Sequence, residues 1–355
     1  MSPLPPLAAT GIGSVPFTEP QETAALVLRY LPDLPFWPQM VRLGFPEEMV
    51  AQAARGLPGL KTDLEARAVQ VDAAIPREEA LARLYEEVWS GDLTPFAMEE
   101  GEARGFFALL EGVAATGAGV QVLKGQLSGP VTFAGMVKDP EGKPCLFDRE
   151  LTQAFCQGLA RKAVWQAQKF RDLGKEAVIF FDEPYLTGFG SAFLPISKEE
   201  VTEILTQTLD AVRQAGPVLL GIHCCGNTDW SLLLEAPLDI LSFDSFGYFD
   251  SLGLYDRALQ KFLARGGRLA WGLVPTSGEA LRDETGDSLW RRFQGQVEQL
   301  AQGGADVQEI LSRSLFTPAC GLGYLTPEEA VRALGLLADL SSRGRSWLAV
   351  VSGRR

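Results

Sequence analysis

The chain contains one histidine, His223, and Cys224 and Cys225 follow it directly. The run from Pro217 is apolar until it reaches these three residues. A second apolar run, Leu238 to Phe243, ends in Asp244, and a third, Ser314 to Ala319, ends in Cys320. Imidazole, thiol and carboxylate groups delivered at the ends of buried runs read as a metal site. Nitrogen and sulfur donors are soft, which suits zinc better than magnesium or calcium. Strand side chains alternate, so Cys224 is expected to turn away from the site and pack in the core. The same residues have plainer readings. His223 alone would be a satisfied core histidine, and the group together would be a closed structural zinc site, inert to added thiol. A Cys224–Cys225 redox pair is disfavoured by the strain of a disulfide between neighbours.

Such groups need strands to carry them. Residues 8–14 read as a strand ending in the small residues around Ile12, Gly13 and Ser14. Gly11 and Gly13 allow a ligand close to the backbone, and a tight turn uses the same pattern. Thr18 with Gln21 has capping-box spacing and predicts a helix to about Tyr30. Residues 35–41 are extended because two prolines exclude helix. Helices are expected near 47–55 and 77–90 and from about Arg104, after the acidic run Glu99, Glu100 and Glu102. Residues 120–127 read as a strand and 150–173 as a long helix carrying Cys156 in its middle. Residues 177–182 form an apolar strand that ends in Asp182-Glu183-Pro184, two adjacent acids that packing alone does not explain. Ser197 with Glu200 opens the next helix by a capping box. Later elements are a helix near 254–264, a strand 268–274, a helix 287–302, a strand 314–319 and a final helix opened by Thr326, Pro327 and Glu329.

Apolar strands that alternate with helices indicate parallel strands covered on both faces, and there are about eight candidates. The expectation is an α/β fold, a (β/α)8 TIM barrel, with one domain over residues 1–355. The polar residues gather at the C-terminal ends of strands, where active sites of such barrels lie. A doubly wound open sheet is the second choice, since it would place its site at one switch point. The net charge of −13 argues against nucleic acid as a partner. No apolar run reaches the roughly 18 residues of a membrane span, and the first residues lack signal-peptide character. Five cysteines, an odd number, do not suggest a disulfide framework. A cytoplasmic protein with reduced thiols is expected.

Several stretches together resemble the catalytic, C-terminal barrel of cobalamin-independent methionine synthase, in the superfamily that includes uroporphyrinogen decarboxylase. They are Ile12-Gly13-Ser14, Gly101-Glu102, the run Lys124 to Thr132, Asp182-Glu183-Pro184, His223-Cys224-Cys225 and Pro318 to Leu322, in the family's order over nearly the whole chain. The resemblance implies a zinc ion held by His223, Cys225 and Cys320, with Asp244 where the family has glutamate. It implies that Ser14 and the backbone of Ile12 and Gly13 hold the amino-acid end of homocysteine, together with the acids Glu102 and Asp182. Three features depart from the family. The extra N-terminal barrel of its full-length members has no counterpart. The region after the strand 268–274 reads Pro275-Thr276 with no second histidine, and Phe133 stands where the family has tryptophan. Both of these local changes fall on the methyl-donor side.

A thiolate is the nucleophile in thiol methylation, and a zinc-bound thiol is deprotonated at neutral pH. A methyl group leaving a folate nitrogen needs a proton, whereas one leaving cobalt does not. Without a spare histidine, the expected reaction is methyl transfer from a corrinoid such as methylcobalamin, free or on a corrinoid carrier protein, to a small-molecule thiol. Alternatives are a methyltetrahydrofolate-dependent homocysteine methyltransferase, a coenzyme M-like thiol methyltransferase, and a non-catalytic barrel that binds zinc and a thiol. A decarboxylase would want arginines at the N-terminal strand ends, and none stands there.

Overall fold

Strands that are apolar on both faces must be covered on both faces, and the main sheet meets this demand by curling into an α/β barrel. The structure is a computed structural model and describes residues 4–116, 119–192 and 194–353. A short antiparallel hairpin comes first, β1 (Leu60–Asp63) with β2 (Ala68–Val71). Six parallel strands follow in sequential order: β3 (Val122–Ser128), β4 (Glu176–Asp182), β5 (Leu219–Cys224), β6 (Ile240–Phe243), β7 (Arg268–Val274) and β8 (Ser314–Pro318).

Two extended segments complete the wall between β8 and β3. Residues 8–10 run beside β8, with Thr10 N–H donating to Phe316 O (2.9 Å) and Phe316 N–H to Ala8 O (2.9 Å). Residues 13–15 pair with Gln39, and Phe36 bridges to Lys124 of β3. Pro35 and Pro38 offer no N–H, which is why this stretch holds bridges rather than a continuous ladder. The eight wall positions read from the sequence are therefore present, two of them as bridged segments.

Alternation along each strand sorts the side chains. Leu123, Ile179, Phe181, Ile222, Leu241, Trp271 and Phe316 face outward into the main core under the helices. Val122, Val178, Phe180, Ile240, Ala270 and Leu315 face inward and plug the barrel with Ala8 and Leu34. One or two inward steps further along the strands the residues turn polar: Lys124, Asp182, Ser242 and Thr317, all buried.

Most helices begin and end close to their expected positions, including the capping boxes of Ser197 with Glu200 and Thr326 with Glu329. Thr18 is a correction. The first helix is Pro20–Tyr30, entered from Glu19 without a side-chain cap, because proline's fixed φ starts the helix at its first turn. The hairpin β1–β2 and the helix Ser245–Gly253 were not anticipated. No helix among the described residues is long and apolar enough to cross a membrane.

Glu183 explains one of the two adjacent acids. It is fully buried, and its carboxylate accepts from Val131 N–H (2.9 Å), Thr132 N–H (2.7 Å) and the Thr132 hydroxyl (2.6 Å). It thus satisfies the open amides of the helix Pro130–Met136 that follows β3. Burial pushes its pKa up to about 7 against these donors. Glu183→Gln sets an amide NH2 against N–H donors and should destabilise the protein by about 2 kcal/mol. Denaturant unfolding checks this, and an unchanged midpoint would show that the cap is dispensable.

Candidate metal centre

Three donor groups converge at the C-terminal end of the barrel. One ligand atom each of His223, Cys225 and Cys320 lies within 4.8 Å of the other two. β5 carries His223, Cys225 follows it by two residues, and Cys320 leaves β8 by the same distance after Pro318. Cys224, between the first two, is buried in the main core as alternation requires.

The imidazole is set for a ligand. His223 is buried, and its Nδ1 lies 3.0 Å from Ser242 Oγ on the adjacent strand. Its other ring nitrogen, Nε2, is buried with no hydrogen-bond partner. A hydroxyl that accepts from Nδ1–H leaves the Nε2 lone pair free, the arrangement usual for a metal-bound histidine. The two thiols face each other as a pair. The neighbouring Cys225 thiol, with His223, draws the Cys320 pKa down to about 4 against burial. The nearness of Cys320, and then burial, push Cys225 up. A soft cation between them would satisfy two thiols and a buried imidazole together. The donor set therefore fits a metal ion.

Asp244 stands outside this group of three. It ends the wall after β6, and its Oδ1 accepts from Gly247 N–H (2.8 Å) as the N-cap of the helix Ser245–Gly253. Aspartate suits this role because its short arm reaches the amide of its own helix. Burial raises its pKa, and the charges of His223 and Cys320 also act on it, so it lies near the centre without joining it.

Asp182 is placed by register. Ser128, Asp182, His223 and Ser242 are successive Cα partners across β3, β4, β5 and β6. Its Oδ1 is buried without a hydrogen-bond partner. Burial raises its pKa, opposed by His223 and Lys124. Ser14 reaches the same end of the barrel, where its carbonyl accepts from Leu322 N–H (2.8 Å), two residues past Cys320. A Cβ at Gly321 would run into the Ser14 hydroxyl, so only glycine lets the two loops touch. The Ile12 carbonyl accepts from Lys124 Nζ (2.6 Å), and Gly13 pairs with Gln39.

Glu102 is held differently. Its Oε1 pairs with Arg55 (3.3 Å), its Oε2 accepts from Glu99 N–H (3.3 Å), and Gln52 donates to its backbone carbonyl. The structure thus gathers His223, Cys225, Cys320, Asp182 and the Ser14 turn, while Asp244 caps a helix and Glu102 faces Arg55. Sequence reasoning missed Ser242 and Lys124 as parts of the site. Both were signalled by a polar residue at an inward position of an otherwise apolar strand.

No family model and no curated protein matches the chain. Among solved structures, a B12-independent methionine synthase from a Shewanella species, in complex with selenomethionine, superposes with a TM-score of 0.62 at 15% identity. The match covers 97% of this chain and 99% of that one. A pneumococcal exo-β-D-N-acetylglucosaminidase module is looser, at TM-score 0.44, 10% identity and 95% and 85% coverage. A Xanthomonas albilineans dihydropteroate synthase stands at TM-score 0.37, 14% identity and 98% and 94% coverage. The likeness to the first of these, at 15% identity, supports the barrel and leaves the activity to the site.

Two outcomes follow for metal binding. Cys225→Ser and Cys320→Ser should each lose most bound zinc in a purified sample, and full retention in either contradicts the grouping. Ser242→Ala should keep the fold and weaken zinc affinity about tenfold, the usual effect of removing a ligand's orienting partner. A competitive chelator titration reads this directly.

Proposed function

We propose that the protein is a zinc-dependent methyltransferase that moves a methyl group to a small thiol, with homocysteine as acceptor and a corrinoid as the favoured donor. The observation that carries this reading is the convergence of His223, whose buried Nε2 has no hydrogen-bond partner, with two thiols at the C-terminal end of an α/β barrel. His223, Cys225 and Cys320 would hold zinc. Three protein ligands are the number found in catalytic sites, which keep a fourth position open. Asp244 would be a further ligand once its carboxylate left the Gly247 amide. Zinc, when bound, would keep a substrate thiol ionised at neutral pH.

The remaining residues would orient the acceptor. Asp182, with a buried and unpartnered Oδ1, would take the ammonium group. The turn at Ile12, Gly13 and Ser14 would take the carboxylate. Glu102 would share the ammonium only after leaving Arg55. Holding both ends of the amino acid fixes its sulfur on the line of attack. In the transfer, the acceptor sulfur forms a bond to the methyl carbon. The bond from carbon to the donor breaks, and its electron pair leaves with the donor.

The donor choice follows from proton supply. A corrinoid leaves without a proton and a folate nitrogen requires one. The single histidine belongs to the metal group, and Glu183 is committed to a helix N-terminus. A corrinoid would arrive free or on a carrier protein.

Zinc-loaded protein incubated with homocysteine should form methionine from methylcobalamin and little from methyltetrahydrofolate. Methionine from the folate alone would overturn the donor assignment, and none from either would overturn the acceptor assignment. Asp182→Asn should raise the acceptor KM about tenfold, the effect of losing one charge-assisted bond, with zinc retained. An unchanged KM would remove Asp182 from the acceptor site.

A further inference from the structure

A lysine lies wholly inside the barrel. Lys124 stands on β3 one inward step above Val122 of the apolar plug, with no exposed surface. Its ammonium donates to Ile12 O (2.6 Å) and to Gln126 Oε1 (3.1 Å), and it lies 4.6 Å from the centre of the Phe180 ring. A charge this deep is retained only where other groups compensate it. Burial draws its pKa down, and the charge of Asp182 on the neighbouring strand pulls the other way.

The lysine belongs to a built platform. Gln126 Nε2 donates to Trp37 O (2.9 Å), and Gln166 Nε2 donates to Gln126 O (3.1 Å). Gly13 rests on the Gln126 side chain so closely that a Cβ would lie 2.9 Å from Cγ. The turn above is clamped from two further sides. Gln39 N–H donates to Gly13 O (2.9 Å) and Leu322 N–H to Ser14 O (2.8 Å). Lys124 supplies the hold from beneath, and after His223 it is the second positive group whose charge acts on Asp182.

We infer that Lys124 is a positioning residue for the amino-acid end of the acceptor, joining the Ile12–Ser14 turn and the Asp182 carboxylate into one recognition unit. The inference rests on the proposed amino-acid thiol as acceptor. Its consequence is selective. Loss of the Lys124 ammonium loosens the turn and removes one of the two positive charges that act on Asp182, while the metal-binding groups on β5 and after β8 keep their places. A thiol without an amino-acid end should not sense the change.

The test compares two thiols on zinc-loaded protein by calorimetric titration: homocysteine, and 2-mercaptoethanol as the thiol lacking ammonium and carboxylate. Lys124→Met should weaken homocysteine binding by at least about tenfold, the loss expected for charge-assisted bonds. Zinc content and 2-mercaptoethanol affinity should stay at the wild-type level. Lys124→Gln keeps a donor for Ile12 O and should fall between the two, and it carries the comparison where the methionine variant does not fold. Equal weakening of both thiols would mean a general structural role, and retained homocysteine affinity would mean no role; either overturns the inference. Wild-type protein that shows no preference for homocysteine would overturn the acceptor reading itself, and this is seen before any variant is made.

Discussion

The hydrogen bond between His223 Nδ1 and Ser242 Oγ sets the chemistry of the site, and it exists because β5 and β6 are parallel and in one register. With the ring held through Nδ1, Nε2 is left buried and without a hydrogen-bond partner beside the group of thiols. A shift of one residue in this register would turn the histidine toward the helices, since side chains alternate with period two. The same register makes Asp182 the partner of His223 on the other side. One row across the sheet thus fixes an acid, an imidazole and its orienting hydroxyl, and short strand extensions add the thiols.

The barrel makes this row possible by changing character along its axis. Its inner face is an apolar plug at one level and polar at the next. Thr10, Ser128, Asp182, His223 and Thr317 each carry a buried polar atom without a partner. Unsatisfied groups are destabilising in a core, and they gather where a polar ligand or an ion is to be bound. Stability is recovered nearby, as in the Glu183 carboxylate that satisfies three donors at a helix start. Two adjacent acids at the end of β4 therefore do opposite work, one closing a helix end and the other facing the site.

Much of this was legible in the sequence. Continuous apolar runs gave the strands, because parallel strands covered on both faces have no polar side. The soft donors stood at the ends of those runs, and three of them meet. What the sequence hid has physical causes. Residues 8–14 read as a strand and 35–41 as extended, and both segments hold isolated bridges; in the second, Pro35 and Pro38 remove ladder donors. Asp244 reads as a ligand because it ends a strand, and an aspartate immediately before a helix is also a good N-cap, which is the contact its Oδ1 makes. Glu102 was placed by resemblance, and an arginine 47 positions away in sequence, Arg55, takes its carboxylate. Such a long-range pairing leaves no local mark. Lys124 opens the run to Thr132, and only the three-dimensional contact with Ile12 gives it a role.

The central claim is that His223, Cys225 and Cys320 form a metal centre open to an external thiol. Zinc-edge X-ray absorption of the zinc-loaded protein, with and without homocysteine, tests it most directly. The account predicts a sulfur shell from the two cysteines that gains a third sulfur when homocysteine is added. Zinc that keeps an unchanged shell at saturating thiol, or a protein that holds no zinc, would contradict it.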